Sequence, residues 1–161
     1  MSSQLRVDAT EFKHACAQFA TGVTIAGVRD ASGTPHGLTV NSFTSVSLHP
    51  PLILICLGHE ASVIEYFRAA THFGISVLEE EQKSLSDHFA RKGHDRFDGV
   101  AWHPGKTGVP LLDGVLATVE CSVEQRVRAG DHDLFIGEVR HIQVRPGRPL
   151  IYFASKYRAL A

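Results

Sequence analysis

Apolar residues change period several times along the chain, and each change predicts an element. Phe12, Ala15, Cys16 and Phe19 recur at steps of three and four behind Asp8-Ala9-Thr10-Glu11, which has capping-box spacing. This predicts an amphipathic helix ending near Ala20. Thr21 to Val28 is β-branched with Val23 and Ile25 apolar, and the turn cluster Asp30-Ala31-Ser32-Gly33 separates it from Leu38-Thr39-Val40, which predicts a β-hairpin. Val46 to Leu48, the Pro50-Pro51 break and the run Leu52 to Leu57 follow. The run is apolar without alternation, so it predicts a strand buried on both faces. Ser62-Val63-Ile64-Glu65 repeats the capping-box spacing and predicts a helix starting near Ser62.

Phe73, Ile75 and Val77 alternate as a strand, and Gln82, Leu85 and Phe89 restore helical spacing over Glu79 to Ala90. Arg91 to Pro110 is polar, with glycines at 93, 99, 105 and 108, and predicts a long loop. Val115, Ala117, Val119, Cys121 and Val123 alternate strictly, whereas Leu134, Ile136, Val139 and Ile142 alternate with a slip at Gly137 that predicts a bulge. Pro149 to Phe153 reads as a last strand. About seven mostly contiguous strands and two or three helices predict a mainly β (α+β) antiparallel barrel with peripheral helices, not a regular βαβ array.

Composition narrows the function classes. The 161 residues suit one domain spanning 1–161, and 43 % hydrophobic with 20 % charged residues is a globular mixture. A formal net charge of −1 supplies no basic field for a nucleic acid or an anionic membrane. The apolar run Pro50 to Leu57 is far shorter than the roughly 18 to 20 residues a spanning helix needs, and Met1 to Arg6 lacks the pattern of a secretory signal. A cytoplasmic protein is expected. Cys16, Cys56 and Cys121 are odd in number and form no Cys-x-x-Cys pair, so they read as reduced, buried small side chains.

The chain has neither Gly-x-Gly-x-x-Gly nor Gly-x-x-x-x-Gly-Lys-Ser/Thr, which excludes the standard dinucleotide and P-loop fingerprints. Ten histidines form no His-Glu-x-x-His, and His88, His94 and His103 have no metal-ligand spacing. Leu38 to Leu48 is more distinctive. It sets five hydroxyls and one amide beside apolar residues without a charge, which suits a flat heterocycle with amide-like edges, although composition alone favours a polar strand end bonded to its own backbone. Ser62 at a helix start suits either a phosphate or simple capping. Phe89-Ala90-Arg91-Lys92 brings an aromatic ring and cations to a loop, and Gly130-Asp131-His132 places a histidine in a strand-to-strand turn.

These pieces resemble the short-chain flavin reductases, the small components of two-component flavin-dependent monooxygenases. The likeness is carried by Phe19-Ala20-Thr21-Gly22-Val23-Thr24-Ile25, Thr39-Val40-Asn41-Ser42-Phe43, Ser45-Val46-Ser47-Leu48, Pro51-Leu52, Phe89-Ala90, Gly130-Asp131-His132 and Ile136-Gly137-Glu138-Val139, and runs from about Phe12 to Tyr157. It implies an FMN-binding type of split barrel, a homodimer, and FMN or FAD in a groove near the subunit interface. It implies further that the flavin ring contacts Thr39, Val40, Asn41, Ser42, Ser45, Val46 and Ser47 with Leu57 nearby, and that the phosphate lies near Ser62. Phe89 and Arg91 would hold the phosphate or adenylate, His132 the nicotinamide cofactor, and Tyr157 would lie near the flavin. The sequence departs from the family pattern at His49, where Asp is common, and at Gly27, where a β-branched or hydroxyl residue is usual.

The expected reaction is hydride transfer from NADH, or NADPH, to flavin, with reduced flavin serving a separate monooxygenase. A flavin carrier or sensor without turnover, a flavin-dependent reductase of a corrinoid or ferric complex, and a ligand-free structural dimer remain open on the sequence.

Overall fold

A computed structural model describes residues 6–93 and 95–161; residues 1–5, read above for a secretory signal, and His94, weighed above as a metal ligand, lie outside the described residues. The chain opens with α1 (Ala9–Ala17) and the two-residue β1 (Thr21–Gly22), then the hairpin β2 (Thr24–Arg29) and β3 (Pro35–Val40). A second hairpin, β4 (Thr44–Leu48) and β5 (Pro51–Gly58), leads through α2 (Ile64–Ala69) to β6 (His72–Val77). A 3-10 turn (Glu80–Gln82) runs into α3 (Lys83–Ala90), followed by β7 (Trp102–Pro104) and β8 (Pro110–Leu112). The 13-residue strands β9 (Ala117–Ala129) and β10 (His132–Val144) come next, then β11 (Ile151–Phe153) and β12 (Lys156–Arg158). Among the described residues no helix is long and apolar enough to cross a membrane.

Seven strands form one antiparallel sheet in the order β3-β2-β6-β9-β10-β5-β4, curled into a split barrel. Inside it Ile55, Phe67, Phe73, Ile75 and Phe135 are fully buried, each contributing about 1.5–3 kcal/mol of hydrophobic stabilisation. A second core, containing Val23, Ile25, Leu78, Phe89, Phe97 and Leu112, seats α3 and the β7–β8 hairpin against the barrel wall.

The expected β2–β3 hairpin forms, and the slip at Gly137 is a register shift between Ile136 and Gly137, with another between Val139 and His141. A Cβ at Gly137 would lie 2.6 Å from the Phe73 ring and 2.7 Å from Cys121 Cβ, so the bulge also admits that ring. Gly27 has a similar explanation: a Cβ there would meet Pro110 Cγ at 2.9 Å, leaving no room for the bulkier residue usual at this position.

Several expectations are corrected. α1 stops at Ala17 and buries no residue: Phe12 is 62 % exposed and Phe19 80 %. Cys16 is likewise exposed and Cys56 half-buried, so only Cys121 is the buried thiol expected, with burial raising its pKa to about 12. β5 is buried on one face only, through Ile53, Ile55 and Leu57, while Leu52, Leu54 and Cys56 remain half-exposed on the other. α2 begins at Ile64, and Ser62 makes no capping bond to it. The segment from Arg91 to Pro110 is more than a loop, for it buries Phe97 and includes β7. Left-handed Ala154 and Ser155 (φ 49° and 60°) turn the chain into β12, a strand absent from the sequence reading.

Gly137→Ala should destabilise the fold by about 1–3 kcal/mol, because neither the buried Phe73 ring nor the buried Cys121 Cβ can yield freely. Urea unfolding followed by circular dichroism measures this, and an unchanged midpoint would contradict the packing described.

Candidate functional site

The two edges of the barrel sheet, β3 and β4, are consecutive in the chain and joined only by Asn41, Ser42 and Phe43. The β2–β3 ladder ends at the pair Thr24–Val40, and the β4–β5 ladder begins at Thr44–Leu54. The corner therefore carries three backbone N–H groups that belong to neither ladder. Ser42 fixes its position: its hydroxyl donates to the Cys56 carbonyl at 3.0 Å and accepts from the Cys56 N–H at 2.9 Å. Thr24 Oγ1 donates to the Val40 carbonyl at 2.7 Å, anchoring the corner from the opposite strand.

Beside this corner lies a hollow of about 220 Å³ lined by Val23, Thr39, Asn41, Ser86, Ala90, Tyr152 and Tyr157. Its polar groups are uncharged and interlocked. Thr39 Oγ1 donates to the Ser86 carbonyl at 2.6 Å, the Ser86 hydroxyl donates to Tyr157 Oη at 2.7 Å, and Tyr157 donates to Asp87 Oδ1 at 3.0 Å. Burial raises the Tyr157 pKa, which keeps its phenol a donor at neutral pH. Tyr152 meets the Tyr157 ring edge-on at 5.4 Å. Thr21 pairs with Tyr152 across β1 and β11, and its hydroxyl is the one buried side-chain polar atom among the described residues that lacks a partner.

A second hollow, of about 250 Å³, lies against the other end of β3, where Pro35, His36 and Gly37 meet Ser62, Asp95 and Arg96. From Gly37 to Asn41 the chain advances four strand residues, roughly 13 Å. Arg96, in the segment read as a variable loop, is only 8 % exposed. Its Nε donates to the Arg91 carbonyl (2.7 Å), Nη1 to the Gly37 carbonyl (2.7 Å) and Nη2 to Ser62 Oγ (3.1 Å). Burial lowers its pKa.

His132 stands at the start of β10, opposite Gly58 of β5, with Nδ1 2.7 Å from Asp131 Oδ1. The turn holding it is tied down by Asp133, which is buried and accepts from His59 Nε2 (2.9 Å) and Arg68 Nε (2.8 Å). The His59 N–H also donates to the Asp131 carbonyl at 2.9 Å. Along β5, Cys56 is bonded to the Ser42 corner and Gly58 faces His132 two residues later, so one strand carries both parts.

The expected site residues thus divide. Thr39, Asn41 and Tyr157 share the first hollow, and Ser62 borders the second. Ser45 and Val46 are exposed on edge strand β4 and Ser47 is half-buried there. Val40, Leu57 and Phe89 have buried side chains, so any part they play is as support or through backbone. Ser42 spends its hydroxyl on Cys56, and Arg91 contributes its carbonyl to Arg96 while its side chain is exposed. Ser86, Tyr152, Arg96 and Asp133 are additions. A sequence signal existed for Ser86, which stands three residues before Phe89 on the buried face of α3; none existed for Arg96.

A split barrel with an uncharged, aromatic-floored hollow at its open corner is the architecture of a flavin-binding protein. The chain belongs to the flavin reductase like domain family, which it matches over residues 16–161. It is 41 % identical over 147 residues to the reductase component of the flavin-dependent trigonelline monooxygenase of Acinetobacter baylyi, covering 91 % of this chain and 47 % of that protein. A Rhizobium meliloti relative is spanned over only 42 % of its length. The FMN reductase (NADH) of Agrobacterium fabrum is 41 % identical over 146 residues, which cover 91 % of this chain and 83 % of that one. The solved NADH:FAD oxidoreductase of Streptomyces globisporus, in complex with NAD and FAD fragments, superposes with a TM-score of 0.90 at 38 % identity, covering 96 % and 93 % of the two chains.

The Asp133 clamp carries a pH signature. Arg68 first, and His59 after it, hold the Asp133 carboxyl below its ordinary range against the opposing effect of burial. A depressed carboxylate stabilises the fold above its unfolded pKa and loses that contribution as pH falls through the folded one. Asp133→Asn should therefore be less stable than the native chain near neutrality, with the gap closing below about pH 4. Thermal unfolding across pH 2.5 to 8 reads the gap, and one that stays constant would remove the clamp's charge from the account.

Proposed function

We propose that the chain is an NADH-dependent flavin reductase, one such domain over residues 1–161, that transfers hydride to FAD or FMN and supplies reduced flavin to a partner monooxygenase. The observation that carries the reading is the uncharged hollow beside the Asn41–Phe43 corner. A flat ring with alternating donors and acceptors along its edge finds there both N–H donors outside the ladders and an aromatic floor. The Acinetobacter, Agrobacterium and Streptomyces relatives support the same chemistry, with NADH ahead of NADPH as reductant.

When bound, the flavin supplies the hydride acceptor. The protein orients and shields, since hydride transfer at near-attack distance needs no protein nucleophile. Asn41, Thr39 and the corner amides hold the ring edge, and Val23, Tyr152 and Tyr157 exclude water from its face. His132 positions the nicotinamide, held by Asp131 and by the clamp beneath it. The three cysteines, none in a disulfide, and the use of NADH agree with a cytoplasmic setting.

We assign the half-exposed face of β5 to a second copy of the chain. Cys56 and Leu54 lie beside Leu134 and Ile136 of β10, their register neighbours, Leu52 pairs with Glu138 at the end of the ladder, and Val127 of β9 extends the apolar face at 43 % exposure. The unbroken apolar run of β5 is then covered on both sides in a homodimer, and the Ser42–Cys56 corner lies at the margin of that interface.

Absorbance at 340 nm, with FAD, FMN or no added flavin and with NADPH as a parallel reductant, tests the activity. Turnover saturating in added flavin is expected, and none with either flavin would refute it. His132→Ala should raise the KM for NADH several-fold with little change in the KM for flavin. Sedimentation of Leu54→Asp should show a monomer where the native chain is a dimer; a native monomer would overturn the interface.

A further inference from the structure

The floor of the Thr39–Tyr157 hollow has its hydroxyl protons turned away from the cavity. An ionised carboxylate only accepts, so the single phenolic proton of Tyr157 goes to Asp87 Oδ1 at 3.0 Å. The Ser86 hydroxyl must then be the donor to Tyr157 Oη at 2.7 Å, and the Thr39 hydroxyl spends its own proton on the Ser86 carbonyl at 2.6 Å. Thr39 and Tyr157 therefore show the hollow lone pairs alone. Among the residues lining it, Asn41 is the one whose side chain brings N–H donors.

Two full charges stand behind this floor, both on α3. The Asp87 carboxylate is half-buried and one hydrogen bond from the phenol, whereas Lys83, one turn earlier, is exposed with Nζ 5.5 Å from the centre of the Tyr157 ring. Solvent and salt screen the exposed ammonium more than the half-buried carboxylate. An oxidised flavin ring is neutral, and neither charge bears strongly on it. The hydride that NADH gives up on becoming NAD+ carries an electron pair into the ring, which is then an anion around neutral pH. Resting on the flavin reading above, we infer that Asp87, acting through Tyr157, makes the hollow hold oxidised flavin more tightly than reduced flavin and so favours release of the reaction's product. The phenol has no proton left to offer the anionic ring, and the carboxylate behind it repels that ring. Lys83 acts in the opposite direction, and more weakly.

The test compares the two redox states without turnover. FMN and FAD, oxidised or reduced with dithionite, are titrated by anaerobic calorimetry at pH 7.5 into the native chain, Asp87→Asn and Lys83→Met. Asparagine keeps an oxygen to accept the Tyr157 proton, so Asp87→Asn removes the charge and spares the hydrogen bond. The native chain should bind oxidised flavin more tightly than reduced. Asp87→Asn should tighten reduced flavin at least about threefold while leaving oxidised flavin unchanged, and Lys83→Met should weaken reduced flavin. The midpoint potential of bound flavin should rise in Asp87→Asn by the matching amount, about 30 mV for each tenfold in the ratio of the two Kd values. A merely structural role for Asp87 would not move that potential.

A native chain that binds reduced flavin as tightly as oxidised overturns the inference and leaves the flavin reading standing. So does an Asp87→Asn variant in which both redox states change alike, or in which neither changes. Shifts of the same sign in Asp87→Asn and Lys83→Met overturn it too, because opposite charges must act oppositely. Failure of both oxidised flavins to bind the native chain overturns the flavin reading, and the role of Asp87 with it.

Discussion

The barrel is closed by a side chain where a strand would ordinarily close it. β4 stops pairing with β5 at Leu54, so the next N–H and C=O on that edge, those of Cys56, need partners. Ser42 satisfies both with one hydroxyl. Left unpaired in a half-buried setting, those groups would cost about 1–3 kcal/mol. The geometry has a second effect. Because the hydroxyl makes the closure, the backbone of Asn41 to Phe43 is released from ladder bonding and can address a ligand. Stability of the split and availability of the site therefore rest on the same contact.

How much of this was visible in the residues depends on what each prediction required. Local periodicity located the β2–β3 hairpin, the helix through Phe89 and the bulge at Gly137, because each follows from contacts within one or two elements. The uncharged run from Thr39 to Ser47 was legible as unusual, and its resemblance to a known family directed attention to the Asn41–Phe43 corner. Long-range pairing was not legible. Ser42 reads as a ligand donor until Cys56 is seen opposite it, and Ser62 reads as a cap until Arg96 arrives from 34 residues away. Arg96 itself sits among glycines and charges, where nothing local distinguishes a buried cation from a solvated one.

The two misjudged apolar surfaces have one cause. The run from Leu52 to Leu57 was expected to be buried twice and α1 to bury a stripe, yet within one chain each leaves apolar groups uncovered. Hydrophobic pattern reports what a residue is selected to contact, and that contact can be supplied by another chain. Phe12 and Phe19 are too exposed for any role within a single copy. The same reasoning that fails as a statement about one chain is what the proposed second copy would satisfy.

Charge is distributed along the site in a way that matches two different tasks. At the Thr39–Tyr157 end the residues lining the hollow are uncharged and bonded to one another, with the Asp87 carboxylate behind Tyr157 and Lys83 over its ring. At the Ser62 end the Arg96 guanidinium is buried, and among the described residues no carboxylate oxygen lies within 4 Å of it. His132 stands apart from both, on a turn made rigid by Asp133, Arg68 and His59 rather than by apolar packing. Gly58, opposite His132 in the ladder, brings the β5 backbone close to the imidazole, which is itself exposed. On the proposed reading, a reductant that must arrive, react and leave uses that exposed imidazole, and the flavin ring is held elsewhere, at the Thr39–Tyr157 hollow. The fold provides these on separate elements, with β5 as the strand that joins His132 to the Ser42 corner.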